Sequence, residues 1–202
     1  MKTIQIHTIL ILLTIMTTTT SCTSNVDCNL VVDEIDFQTQ TISATAYTSL
    51  NNMVVGDTLR MDIHLPTTIN DAVGIPRLIE NSIMIDYTNI LTTVERSELG
   101  LTDYQPYNIN NSNSNAYNGN FVYTSNQDGS LGIQVEPSDP SSAAYRFDGD
   151  IIFSEVGIYR FKITAGITFF TNEDIVDCSP RYEVPFVFEN QNSDGYLVVQ
   201  VN

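Results

Sequence analysis

The chain has 202 residues, room for one domain behind a leader, and 42% of them are hydrophobic, enough for a core. Its 24 acidic residues against 8 Lys and Arg give a net charge of −16, which repels phosphate backbones and excludes nucleic acid as a partner. Solubility and resistance to non-specific association are the simplest use of that acidity.

In chain order, the first element is an address. Met1-Lys2 opens a short segment with one positive charge, and Ile9 to Met16, I-L-I-L-L-T-I-M, is an apolar run broken by one Thr. The run has the length of a signal-peptide core and is too short to span a bilayer. Threonines and Ser21 then lead to Cys22. Small residues before a single Cys, just after an apolar run, resemble the lipobox of bacterial lipoproteins, with Thr19 where the usual pattern has Leu. Looser lipoboxes of this kind are common among Bacteroidota, whose Asn-, Thr- and Ile-rich composition the chain also resembles.

The resemblance implies a signal peptide over 1–21 and a diacylglycerol on the Cys22 thiol. It further implies a tether over 22–28 and a domain over 29–202, held at the outer membrane without crossing it. Several acyl chains anchor firmly, at about 0.8 kcal/mol per buried methylene. Taken without the resemblance, the same residues also fit an ordinary secretory signal cut near Thr20 or Ser21, with Cys22 a plain thiol. Whether the domain faces the periplasm or the exterior stays open, since T-S-N-V-D (23–27) carries only Asp27.

Export favours disulfides. With Cys22 assigned to lipid, Cys28 and Cys178 remain, each in the tripeptide V-D-C. A bridge between them is expected, and closing so long a loop could contribute about 5 kcal/mol in the chain-entropy model. Two Cys with no nearby His fall short of a zinc ligand set.

Past the tether, short apolar runs alternate with turn residues, and β-branched and aromatic residues outweigh Ala and Leu. D-T-L-R-M-D-I-H-L-P (57–66) is the clearest strand: Leu59, Met61, Ile63 and Leu65 point one way, and Arg60, Asp62 and His64 the other. Gly56-Asp57 opens it and Pro66 closes it. Further strands are expected at 30–37, 41–49, 82–89, 121–124, 131–136, 145–153, 157–170, 182–188 and 196–201, with a bend or bulge at Ala165-Gly166. Residues 91–101 read as one short helix or a turn. Short strands at this spacing predict an all-β fold, a single antiparallel β-sandwich.

The segment F-S-E-V-G-I-Y-R-F-K-I-T (153–164) resembles the D-x-G-x-Y strand of immunoglobulin-like domains, with Glu155, Gly157 and Tyr159 in those places. V-G-D-T-L-R (55–60) likewise resembles the Gly-Asp turn before an early strand of such domains. The resemblance implies an immunoglobulin-like sandwich in which the Tyr159 hydroxyl makes a corner hydrogen bond. The usual inter-sheet Cys pair and core Trp are missing.

Residues 102–120 form an Asn-rich stretch with no convincing strand, interspersed with Tyr104, Tyr107 and Tyr117. Tyr, Ser and Asn make adaptable contacts, so this is a possible recognition loop; a solvated low-complexity insertion is the plainer account.

Catalytic chemistry is poorly supplied. The two histidines are His7, in the leader, and His64, on the polar side of its strand, and no G-x-S-x-G, P-loop or G-x-G-x-x-G occurs. Carboxylates are plentiful, which keeps a hydrolase using acidic residues as the alternative. Asp128, Asp148 and Asp150 are calcium candidates, although Asp and Gly populate turns for conformational reasons alone. Asp57-Thr58-Leu59 resembles the O-glycosylation acceptor of exported Bacteroidota proteins, on three positions only. The expectation is therefore a lipid-anchored envelope protein without a cofactor, binding an envelope protein or a glycan.

Overall fold

A computed structural model describes residues 36–78, 89–124, 128–137, 144–170 and 181–202, all in one unit, Asp33–Asn202. Cys22, Cys28 and Cys178 lie outside the described residues, as do 30–35 of the strand expected at 30–37 and 82–88 of that expected at 82–89. The alternation at 57–66 forms as read. β1 (Gln40–Ala46) leads through a turn at Gly56 into β2 (Thr58–Pro66), whose Leu59, Met61, Ile63 and Leu65 are buried while Arg60 and His64 are exposed. A hairpin of β3 (Thr68–Asn70) and β4 (Pro76–Leu78) follows.

Residues 91–101 are neither helix nor turn throughout: β5 runs from Asn89 to Ser97. Leu91 and Val94 sit three apart, which suggests a helical face, but Ile90, Thr92 and Val94 form the buried side and Leu91 is exposed. A threonine in an inward slot disguised the period of two. Nor is 102–120 one loop. It contains β6 (Gln105–Pro106) and β7 (Ser114–Asn118), followed across Gly119 by β8 (Asn120–Tyr123). The remaining strands are β9 (Ser130–Gln134), β10 (Glu136–Pro137), β11 (Ala144–Ile152), β12 (Gly157–Ala165), β13 (Ile167–Phe170), β14 (Arg181–Val184), β15 (Phe186–Phe188) and β16 (Leu197–Val201). The bend at Ala165-Gly166 is present: register shifts between Ile163 and Ala165, and a new pairing of β13 with β14 begins.

Two six-stranded sheets result, and no helix occurs among the described residues. Sheet A has the order β10-β11-β2-β1-β15, with β7 beside β10 along the same flank of β11. Sheet B has the order β16-β12-β5-β9-β8, with β6 beside β9 on β5. Pairing among the named strands is antiparallel except for β1 with β15. The inward residues of both sheets join one core, where Phe161 of β12 meets Phe188 of β15 and Phe121 of β8 meets Phe147 of β11. The chain passes from sheet A to sheet B at Gly119 and returns at buried Val135.

Three details carry energetic weight. Thr92 is fully buried and its Oγ1 has no hydrogen-bond partner. Thr92→Val keeps the shape and removes the stranded hydroxyl, so it should stabilise the fold by about 1 kcal/mol. The readout is a higher denaturant midpoint at unchanged slope.

Tyr159 is buried, and its hydroxyl donates to the Glu155 carbonyl at 2.8 Å. Burial first, then the neighbouring Tyr107, pushes this phenol far above its ordinary value, so it stays a donor. Tyr159→Phe leaves that carbonyl without its partner and should cost about 1–2 kcal/mol, measured by the same titration.

Asp71 is 3% exposed and organises the β3–β4 turn. It accepts from the backbone N–H of Val73 (3.2 Å) and Ile75 (2.7 Å) and from Arg77 Nε and Nη2 (3.1 and 3.0 Å). Burial alone would raise its pKa, but the Ile75 bond and the Arg77 guanidinium outweigh it and hold the carboxyl below 3.8. A depressed folded pKa adds stability above the unfolded value and loses it as pH falls through the folded one. Asp71→Asn should therefore be less stable than wild type at neutral pH, and the gap should close progressively below pH 3.8. An unchanging gap down to the acid limit would assign the effect to something other than the carboxylate.

Candidate interaction surfaces

The polar side of sheet A is built by strand alternation. Arg60 and Asp62 of β2 lie opposite Asp150 and Asp148 of β11, so two carboxylates face one another directly across the strands. Like charges so placed are destabilising, and arginines compensate. Arg60 contacts Asp148 at 2.5 Å and Asp150 at 3.9 Å, and Arg146 reaches Asp62 at 3.4 Å. From β7, Tyr117 donates its hydroxyl to Asp150 at 2.6 Å, and Arg60 lies 5.3 Å from the centre of its ring. The Asp150 hydrogen bond raises the Tyr117 pKa. Tyr117 remains 58% exposed, an amphipathic ring on a charged sheet face.

Sheet B carries a second cluster. The Arg160 guanidinium of β12 lies 3.8 Å from the ring centre of Tyr104 and 4.6 Å from that of Tyr196, and its Nε donates to Glu95 of β5. Lys162 adds a contact to Tyr196 at 5.0 Å. Stacking on two aromatic faces uses the planar, weakly hydrated cation where an ammonium would do less. It pins the segment before β6 onto the sheet.

The three tyrosines of the possible recognition loop are thus not brought together. Tyr104 stacks on sheet B and Tyr117 stands on sheet A. Tyr107 turns inward, its ring edge-on to Tyr159 at 5.0 Å, while its N–H donates to the Val94 carbonyl.

The calcium candidates also separate. Asp128 sits in the β8–β9 turn and accepts from the Ser130 N–H (2.9 Å) and Thr124 Oγ1 (3.3 Å), bonds that lower its pKa. That is the Asx geometry of an ordinary turn. Asp148 and Asp150 lie instead on the face of sheet A, engaged by Arg60 and Tyr117. Among the described residues no group of three or more His, Cys, Asp or Glu could hold a metal ion. Asp57 of the glycosylation-like tripeptide accepts from the Val54 N–H at 2.9 Å and closes the turn into β2, with Thr58 half-buried behind it.

Sequence reasoning missed Arg60, Arg160 and Tyr196 as organisers of these faces. Strand alternation alone marks Arg60 as outward, but only the sheet order sets it against β11 and β7. No family model, no curated protein and no solved structure matches the chain.

Proposed function

We propose that the chain is a cell-envelope protein, lipid-anchored through Cys22 to the outer membrane, whose immunoglobulin-like β-sandwich acts as a non-enzymatic binding or structural module. The anchor rests on the apolar run at 9–16 followed by small residues and Cys22. The observation that carries the domain reading is the Tyr159 hydroxyl bonded to the Glu155 carbonyl, with Gly157 between them, the corner device of immunoglobulin-like strands. The shared core of sheets A and B supports a two-layer arrangement. Binding is favoured over hydrolysis because the carboxylates of sheet A are already paired with Arg60, Arg146 and Tyr117.

Intact mass of the protein from native membranes, with and without reductant, tests the reading. A chain beginning at Cys22, heavier by its acyl groups and gaining two hydrogens on reduction, is the expected result. An unlipidated chain beginning elsewhere would overturn the anchor and leave Cys22 a free thiol.

A further inference from the structure

We propose that one end of the domain is a docking surface for a protein whose apolar contact patch is ringed by Lys and Arg, an inference that rests on the reading as an envelope binding module. β2 begins at this end, β11 and β5 finish there, and β12 starts there. Three turns gathered by these strands, with the last residue of β11, expose Val54, Val55, Leu99, Leu101, Val156 and Ile152, each 40% exposed or more. Single exposed apolar residues need no explanation. Six of them gathered at one end do.

The turns are tied to one another. The Gly56 N–H donates to the Phe153 carbonyl (2.8 Å) and the Phe153 N–H to the Asp57 carbonyl (3.2 Å). Arg96 donates to the Val156 carbonyl from Nε (3.2 Å) and Nη2 (2.7 Å), and the Ser97 hydroxyl reaches the Leu101 carbonyl (3.3 Å). A surface ordered in advance loses less entropy on binding.

Charge selects the occupant. Asp57, Glu98, Asp103 and Glu155 flank the apolar residues along these turns, against one cation among the described residues of the turns and their strand ends, Arg96, which is already engaged by Glu155 at 3.0 Å. A second copy would set acid against acid, on chains of net charge −16, and an anionic lipid surface would be repelled in the same way. One exposed ring, Tyr47 just past β1, also lies at this end, but a neutral sugar stacked on it would leave the acidic edge unmatched. A protein patch with a basic rim satisfies both the apolar centre and the acidic edge. Position agrees: the first described residues lie at the opposite end, where the Ala72 N–H donates to the Asp36 carbonyl at 2.7 Å.

The test places photoreactive benzoylphenylalanine at Val55 or Leu99 of the full chain in intact cells. Val73, 82% exposed in the β3–β4 turn, and Tyr117 on sheet A serve as comparison positions. The expected result is an adduct with one other protein from positions 55 and 99, at least about tenfold above position 73. Its cross-linked peptide should lie beside Lys or Arg. Glu98→Lys with Glu155→Lys should lower that yield about tenfold, because rim charges govern encounter; unchanged melting of the double variant shows that the fold is kept. Adducts only between copies of the chain, or only with lipid, overturn the proposal, as does a yield indifferent to charge reversal. A heterologous adduct from Tyr117 alone overturns this end but keeps the binding module, and no heterologous adduct from any position overturns both.

Discussion

Gly119→Ala is expected to destabilise the domain by about 3–4 kcal/mol, through two separable costs. The first is conformational: Gly119 has φ +73°, where a Cβ crowds the following carbonyl, worth about 1–2 kcal/mol. The second is space. A Cβ here would overlap the Gln134 carbonyl oxygen and stand 3.0 Å from the Phe147 ring and 3.3 Å from the Arg146 carbonyl. Gln134 ends β9, where the chain is about to return to sheet A, and Gly119 is where it leaves. Both crossings therefore pass through one point, and neither backbone can withdraw without breaking β7–β11 or β8–β9 pairing. Gly195→Ala is the control, since Gly195 has φ +80° with nothing within 4 Å of its would-be Cβ. Denaturant titration of both variants should show Gly195→Ala paying only the first cost, about 1–2 kcal/mol. Equal losses would mean that the crossing has room to relax.

How much of this was legible depends on what each strand buries. β2 and β16 are recoverable because every second residue is large, apolar and buried, as in Leu59, Met61, Ile63 and Leu65, and β11 keeps Tyr145, Phe147 and Ile151 on that side with Gly149 between them. The Gly166 break was legible as well, because a glycine interrupting a β-branched run marks a bend. β5 was hidden by Thr92 and Ser97, polar residues in buried positions. β7 was hidden because its inward residues, Ser114, Ala116 and Asn118, are small or polar, so its alternation carries no hydrophobic signal. The interaction surfaces were less legible still. Tyr104 and Tyr117 are close in sequence yet lie on different sheets, because the chain crosses from sheet B to sheet A between β6 and β7. Linear proximity says nothing about which face of a sheet a residue reaches. Exposed valines and leucines at 54, 55, 99, 101 and 156 are scattered along the chain until the topology gathers them.

Phe161→Ala should be the most damaging single core change, at about 3–5 kcal/mol. Phe161 is fully buried at the centre of β12, with sheet B neighbours on both flanks: Val94 of β5 and Leu197 of β16. Its ring meets Phe153 at 6.5 Å and Phe188 at 6.4 Å, both edge-on. Phe188 belongs to β15 of sheet A and Phe153 follows β11 of the same sheet, so this ring joins the two layers at both places. Truncation removes the apolar area and both ring contacts, and strands hydrogen-bonded on each side cannot close into the cavity. Phe161→Leu keeps most of the volume and loses the edge-on geometry, so it should cost about 1–1.5 kcal/mol. The comparison is made by denaturant midpoint at a common slope. A Phe161→Ala loss no larger than that of Phe161→Leu would mean that the layers are held elsewhere, and that the ring fills space without joining them.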